Sequence, residues 1–230
     1  MQVLVPSGAN PHIYEPTPKQ VQKALQARIW FRLGEPIETK MFNIVSGQGM
    51  RVVDLSEGIN LISEEHGDHI EGKDRHIWMS PKLALQQATV IAGSLAEVFP
   101  EFKEQFQVGL QNFLGDLSKI DEEIARELKP FAGDAILVSH PAFGYYCQEF
   151  GLKQLSIEYE GKDPLPQDIT RTLQEAKDSK VRAVFTVAQY NNKGAELIAK
   201  QLQLPVYAID PYAQDYFENL QHITSLIAHD

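Results

Sequence analysis

The most constraining feature of the sequence is an uninterrupted amphipathic stretch at residues 100–129. Its apolar residues recur at steps of three and four: Phe102, Phe106, Leu110, Phe113, Leu117, Ile120, Ile124 and Leu128. This spacing is that of one face of an α-helix, and no proline interrupts it before Pro130. At about 1.5 Å per residue the helix would be roughly 45 Å long, which exceeds the width of a small domain. A helix of this length either forms a coiled coil or joins two lobes.

Short strands and helices are predicted to alternate on both sides of this stretch. Before it, strands are predicted at residues 3–5, 27–31 and 50–54, and helices at 16–27, 36–45 and 81–98. After it, strands are predicted at 135–139, 153–159, 183–187 and 206–209, and helices at 145–150, 167–179, 193–203 and 212–228. Such alternation predicts parallel sheets covered by helices, and it favours a joining helix over a coiled coil.

The expected fold is therefore α/β, with two lobes that are each a parallel β-sheet flanked by helices and that are joined by one long rigid helix. The expected boundaries are 1–99 for the N-terminal lobe, 100–130 for the linking helix and 131–230 for the C-terminal lobe. A chain of 230 residues is long enough for one large domain or for two small ones.

Composition and charge exclude several function classes. The formal net charge of −10 argues against nucleic acid as a partner and against docking on an anionic membrane surface. No apolar run approaches the ~18 residues of a membrane span. Because Cys147 is the single cysteine, neither an intrachain disulfide nor a cysteine-based zinc cluster can form. A metal site would have to use His, Asp or Glu.

Three histidines and one aspartate stand next to predicted strands or helices. His12 lies between a predicted strand and a helix, and His76 precedes the helix at 81–98. His140 follows the strand that begins at residue 135, and Asp210 follows the strand at 206–209. In open α/β sheets, ligands collect at the carboxyl ends of strands, where His12, His140 and Asp210 fall. Imidazoles with a carboxylate suit zinc and, less selectively, manganese or iron.

The spacing of these four residues leaves two interpretations open. They are separated by 64, 64 and 70 positions, which is no local motif. A single histidine in a loop is more often solvated, or a local hydrogen-bond partner, than a metal ligand. A shared site is favoured because the four residues fall at corresponding topological positions, two in each predicted lobe.

Four segments, in this order along nearly the whole chain, carry a resemblance to a known family. Residues 10–18 read N-P-H-I-Y-E-P-T-P and resemble the signature N-P-H-x-Y-E-P-x-P, and residues 75–81 read R-H-I-W-M-S-P and resemble P-H-x-W-L-S-P. Residues 139–152 resemble the pair H-D-A-F-x-Y-F and Y-G-L, and residues 209–211 resemble L-D-P. The chain is similar in these motifs to the metal-binding solute-binding proteins of ABC transporters, in their zinc/manganese class (cluster A-I).

The resemblance implies two lobes with one divalent metal ion in the cleft between them. His12 and His76 would bind the ion from the first lobe, and His140 and Asp210 from the second. The implied function is capture of Zn²⁺, with Mn²⁺ or Fe²⁺ as alternatives, and delivery to an ABC permease by a monomer without catalytic activity. The implied location is the periplasm, or an anchor outside the cytoplasmic membrane. Relatives carry a signal sequence, a strand and a helix before the segment that matches Val3, and these are absent from this sequence.

Other residues bear on the choice of metal. His140 favours zinc, because manganese-preferring relatives tend to have a glutamate there and an imidazole is the softer ligand. His66 and His69 lie in an acidic segment that resembles a short form of the His-rich loop of zinc-specific relatives, but a solvated loop explains it equally well. Glu158 and Glu160 lie near a strand end and could line the rim of the cleft, although charged residues at such edges are usually only solvated.

The rival function class is a zinc-dependent hydrolase. Such an enzyme needs an open coordination position with a water molecule and a nearby general base. The sequence contains no H-E-x-x-H, G-x-S-x-G or P-loop pattern, and no spare carboxylate stands out beside the four candidate ligands. The sequence therefore favours a binding protein over an enzyme.

Overall fold

Helices and short strands alternate along the chain in the computed structural model, which describes residues 1–45, 49–66, 69–158 and 164–229. In chain order the elements are α1 (Pro18–Ala24), β1 (Ile29–Arg32), α2 (Pro36–Val45), β2 (Arg51–Asp54), β3 (Ser63–His66), β4 (His69–Lys73), α3 (Pro81–Val98), α4 (Lys103–Leu128), β5 (Ala135–Val138), α5 (Gly144–Phe150), β6 (Lys153–Ser156), α6 (Pro166–Asp178), β7 (Val181–Val187), α7 (Lys193–Leu202), β8 (Val206–Ile209) and α8 (Tyr216–Ala228). The predicted α/β fold, with parallel strands, flanking helices and one long helix, is confirmed. The predicted lobe boundaries stay a prediction.

A four-stranded parallel sheet forms the centre of the second half, with the strand order β6-β5-β7-β8. Its central strands, β5 and β7, are mostly apolar because helices cover both faces of the sheet. Ile136, Val138 and Phe185 pack on one face with residues of α4, α5 and α8. Leu137 and Val184 point to the other face, against α6 and α7. This sheet places the residues that follow β5 and β8 at the same edge.

The first half has a smaller parallel sheet and a hairpin. Strands β1 and β2 pair in parallel, with Ile29 opposite Arg51, and β3 and β4 form an antiparallel hairpin. The predicted strand at residues 3–5 is wrong: no residue of 1–28 is part of a strand, and Val3 is 61% exposed. A three-residue apolar run that ends at Pro6 has too few positions to pair stably with β1.

The long helix predicted at residues 100–129 is confirmed as α4, which is preceded by the 3-10 turn Pro100–Phe102 and followed by the turn Lys129–Phe131. Its 26 residues correspond to a length of roughly 39 Å. The helix packs against both α3 and α8. Its buried residues are Leu117, Ile120, Ile124 and Leu128, all in its second half. The helix thus joins the core around the four-stranded sheet to α3 of the first half of the chain. Within the described residues, none of the helices has the length and apolar character needed to cross a membrane.

A buried carboxylate ties the N-terminus of α3 to α5. Ser80, the N-cap residue of α3, donates a hydrogen bond from its hydroxyl to Glu149 of α5. The Lys82 Nζ lies 3.6 Å from the Glu149 Oε1, and the Glu149 side chain is only 5% exposed. Burial raises the pKa of Glu149 to about 7, and its contact with Asp121 of α4 acts in the same direction. A titratable group therefore sits where three helices meet.

Replacing Glu149 by glutamine is expected to remove a pH-dependent part of the stability. Because the folded-state pKa of about 7 lies above the usual 4.5, this carboxyl contributes stability that is fully present below pH 4.5 and is lost as the pH rises to about 7. Chemical denaturation at several pH values should show a smaller decrease in the free energy of unfolding across this interval for Glu149→Gln. The exposed Glu104→Gln, on α4, is the matched control. An unchanged slope in Glu149→Gln would contradict this assignment.

Candidate metal centre

Three histidines from distant parts of the chain converge. His12, His76 and His140 each offer one ring nitrogen, and these three nitrogens lie within 4.8 Å of one another. The Nε2 atoms of His76 and His140 are 3.1 Å apart. Both of these side chains are buried, and His12 is half-buried. Imidazole nitrogens this close together are the arrangement that a transition metal needs.

Local turns present two of these histidines. The backbone N–H of His12 donates to the Asn10 Oδ1 at 2.9 Å, and that of His76 donates to the Asp74 Oδ1 at 2.8 Å. This bond from a residue to the side chain two positions earlier is an Asx-turn, which Asn and Asp form readily. His140 is presented differently, two residues after the end of the buried strand β5. The Asx-turns therefore explain why Asn10 and Asp74 stand two residues before His12 and His76.

A carboxylate lies behind each imidazole. The Nδ1 of His12 is 3.5 Å from the Glu35 Oε2, and the Nδ1 of His140 is 3.2 Å from the Glu158 Oε1. The Nδ1 of His76 is 2.8 Å from the Asp74 Oδ1. Such a partner fixes the tautomer and the orientation of an imidazole and makes its other nitrogen a better ligand.

The sequence identified only part of this set of carboxylates. Glu158 was interpreted either as a residue of the cleft rim or as a solvated residue, but it is buried and contacts the Nδ1 of His140. Glu35 and Asp74 were not singled out. Asp74 lies two residues before His76, which is the spacing of an Asx-turn, and this spacing was the available signal. Glu160 lies outside the described residues.

The electrostatics of the cluster favour a neutral His140 ring. Burial lowers the pKa of His140 well below its usual value, and the nearby His76 and His12 lower it further. A neutral imidazole keeps a lone pair for a metal ion, whereas a protonated one has none to offer. Burial also raises the pKa of the Glu35 carboxyl. At neutral pH the His140 ring is therefore ready to act as a ligand without first losing a proton.

Two tyrosines close the same cluster, and no sequence motif singled them out. The ring of Tyr190 stacks on that of His140, with centroids 3.7 Å apart and an interplanar angle of 8°. The Tyr212 hydroxyl lies 3.3 Å from the His140 Nε2 and 3.4 Å from the His76 Nε2. The two tyrosine hydroxyls are 2.7 Å apart. Burial raises the pKa of both phenols, so both are neutral at pH 7.

Asp210 lies at the end of β8, but its carboxylate is not part of the cluster of donors found among the described residues. Its Oδ1 accepts the backbone N–H of Tyr212 at 2.9 Å and the Gln189 Nε2 at 3.4 Å. Its role as a ligand stays a prediction. Residues 67 and 68, and the side chains of His66 and His69, lie outside what the structure describes, so a metal-collecting role for this segment also stays a prediction.

Solved structures and a curated relative resemble this chain closely. A crystal structure of ZnuA has 32% sequence identity and a TM-score of 0.87, and the match covers 99% of this chain and 88% of that one. A ZnuA deletion mutant with zinc bound has 31% identity and a TM-score of 0.88, with coverages of 98% and 86%. The high-affinity zinc uptake system protein ZnuA of Bacillus subtilis is 28% identical over 217 residues, which cover 88% of this chain and 68% of that protein.

The family comparison extends over almost the whole chain. The family model described as "Zinc-uptake complex component A periplasmic" matches residues 1–229. This agrees with the resemblance found in the four sequence motifs, and it includes all four residues predicted as ligands. The chain therefore belongs to the family of periplasmic zinc-uptake complex component A, ZnuA.

Proposed function

We propose that this chain captures one zinc ion outside the cytoplasmic membrane and delivers it to an ABC permease. The observation that carries the proposal is the convergence of His12, His76 and His140, whose donor nitrogens lie within 4.8 Å of one another. The description of the family as periplasmic and zinc-uptake supports both the cargo and the location. The metal in this proposal is cargo, which the chain binds and releases unchanged.

The donor atoms favour zinc over the alternatives Mn²⁺ and Fe²⁺. Imidazole nitrogen suits zinc, whereas manganese prefers carboxylate, carbonyl and water oxygens. The ZnuA deletion mutant that resembles this chain was solved with zinc bound. Asp210, the fourth ligand implied by the sequence resemblance, already accepts hydrogen bonds from Tyr212 and Gln189. The proposal therefore rests on the three imidazoles.

Release to a permease is proposed to need only a small movement. Trp78, two residues after His76, donates from its Nε1 to the Pro211 backbone oxygen at 2.9 Å. The Tyr216 hydroxyl donates to the Trp78 backbone oxygen at 2.8 Å. These bonds join the two halves of the chain beside the histidines, and α4 packs against both α3 and α8. A displacement of the His76 segment by about 1 Å would already weaken a site whose ligand distances are set within a few tenths of an ångström.

A binding role is favoured over the zinc-hydrolase alternative by the positions of the carboxylates. A hydrolase needs a general base beside a metal-bound water. The carboxylates of Asp74 and Glu158 instead face the Nδ1 atoms of His76 and His140, on the side of each ring away from the converging Nε2 atoms. From these positions the two carboxylates orient the imidazoles of His76 and His140. We therefore propose a monomeric binding protein without catalytic activity.

Calorimetric titration of the metal-depleted chain tests this function. One Zn²⁺ per chain is expected to bind tightly enough to compete with a chelator, and Mn²⁺ and Fe²⁺ are expected to bind more weakly because the donors are imidazoles. Elemental analysis gives an independent stoichiometry, light scattering tests the monomer, and screens with ester, peptide and phosphate substrates test for catalysis. Failure to bind any of the three metals stoichiometrically would refute the proposal, and metal-dependent turnover would favour the hydrolase.

A further inference from the structure

The Tyr212 hydroxyl occupies a position with the geometry of a metal donor. In a tetrahedral site, two ligand atoms that each lie about 2.0 Å from the metal are about 3.3 Å from each other. The Tyr212 Oη is 3.3 Å from the His140 Nε2 and 3.4 Å from the His76 Nε2. These two nitrogens are themselves 3.1 Å apart. The three atoms therefore form one face of a tetrahedron of the size that zinc requires.

The backbone presents Tyr212 in the same way as it presents two of the histidines. The Tyr212 N–H donates to the side chain of Asp210, two residues earlier, as the N–H of His12 does to Asn10 and that of His76 to Asp74. In this arrangement Asp210 is the residue that shapes the turn, and Tyr212 is the residue that the turn directs into the cluster.

Tyr190 holds the Tyr212 hydroxyl in place. The two hydroxyl oxygens are 2.7 Å apart, and the Tyr190 ring is fixed by its stacking on His140. When Tyr212 donates its proton to Tyr190, the lone pairs of its oxygen are left for the centre of the cluster. A neutral hydroxyl donor is compatible with a doubly charged ion here, because the carboxylates of Asp74 and Glu158 lie directly behind two of the imidazoles.

We propose that the Tyr212 hydroxyl, rather than the Asp210 carboxylate, is the oxygen donor that accompanies the three imidazoles, and that it makes the site selective for zinc over manganese. This inference rests on the proposed function. A hydroxyl supplies one oxygen, which completes a four-coordinate site of the kind zinc prefers. A carboxylate can bind through both oxygens, and carboxylate oxygens suit manganese better than zinc.

A pair of conservative variants tests this assignment in the full chain. Tyr212→Phe removes only the donor oxygen and keeps the ring beside Trp78. Asp210→Asn removes only the charge and keeps the Oδ1 that accepts the Tyr212 N–H. Zinc and manganese affinities are measured by competition calorimetry, and Co²⁺ absorption reports the coordination geometry because four-coordinate Co²⁺ absorbs visible light more strongly than six-coordinate Co²⁺. Thermal unfolding of each metal-depleted variant checks the fold.

We expect Tyr212→Phe to lower the zinc affinity about tenfold or more, to lower the ratio of zinc to manganese affinity, and to change the Co²⁺ spectrum. Asp210→Asn is expected to keep the wild-type spectrum and an affinity within about threefold, since only a charge outside the donor set is lost. Wild-type zinc affinity and Co²⁺ absorption in Tyr212→Phe would overturn the inference. A loss confined to Asp210→Asn would assign the fourth position to Asp210. Failure of the proposed function itself is separable, because the wild-type chain would then not bind zinc.

Discussion

Replacement of His140 by alanine is expected to lower the zinc affinity of the chain by more than about 100-fold. Loss of a residue that only orients a ligand lowers metal affinity by about 10–100-fold, and loss of the ligand itself should lower it further. His140 is one of three converging imidazoles, and its Nε2 lies 3.1 Å from that of His76. It also supports the ring of Tyr190, which stacks on it at 3.7 Å. Alanine therefore removes a ligand and loosens a neighbouring residue. Competition calorimetry with a chelator of known affinity measures the loss.

An exposed histidine provides the matched control for this prediction. His222 lies on the solvent-exposed side of α8, so His222→Ala should bind zinc as the wild-type chain does. The thermal unfolding of metal-depleted His140→Ala is measured in parallel, to separate loss of a ligand from loss of the fold. Wild-type zinc affinity in a folded His140→Ala chain would exclude His140 from the site and refute the central part of the proposal.

Gly144→Ala is expected to lower the zinc affinity about 10–100-fold although Gly144 is not itself a candidate ligand. A Cβ at this position would lie 2.6 Å from the Asp74 Oδ2, closer than such atoms approach in proteins. The Asp74 carboxylate would have to move. Its Oδ1 holds both the Nδ1 and the backbone N–H of His76 at 2.8 Å, so the His76 ring would lose its orientation. Gly144, the first residue of α5, thus affects the orientation of the His76 ring through Asp74.

Gly115→Ala, in the middle of α4, provides the control for the added methyl group. A Cβ at Gly115 meets no atom within 4 Å, so this variant should keep the wild-type affinity and gain helix stability. Gly144→Ala should also change the Co²⁺ absorption of the site, which a purely structural destabilisation would not do. A folded Gly144→Ala chain with unchanged zinc affinity would show that Asp74 does not set the position of His76.

Elements with a long local pattern could be predicted closely from the sequence. The helices α2 and α3 lie at the predicted residues 36–45 and 81–98, and β8 lies at 206–209. The helix α4 begins three residues later than predicted, because residues 100–102 form a 3-10 turn. In the three helices, hydrophobic periodicity over several residues and a proline at or just before the N-terminus mark the same element, and tertiary contacts do not override these signals.

Elements without such a pattern were predicted wrongly or missed. The apolar run at residues 3–5 resembles a strand locally, but strand formation requires a partner and it pairs with none in the described residues 1–28. The hairpin of β3 and β4 was interpreted as an acidic loop, since its sequences S-E-E-H and H-I-E-G-K have no run of apolar residues. Pairing between two polar strands depends on backbone hydrogen bonds, which composition does not reveal.

By itself, the sequence determined the α/β architecture, the long helix and four candidate ligands, because periodicity and family motifs are local properties of a chain. The three histidines among these four converge in the structure, and the role of Asp210 stays a prediction. Only the tertiary structure decided which groups surround those histidines. Glu35 and Glu158 reach His12 and His140 from 23 and 18 positions away, and the Tyr212 hydroxyl lies 3.3 Å from the His140 Nε2 although 72 positions separate the two residues. Such contacts arise where sheets and helices pack together, and the separation of two residues along the chain does not encode the distance between their side chains.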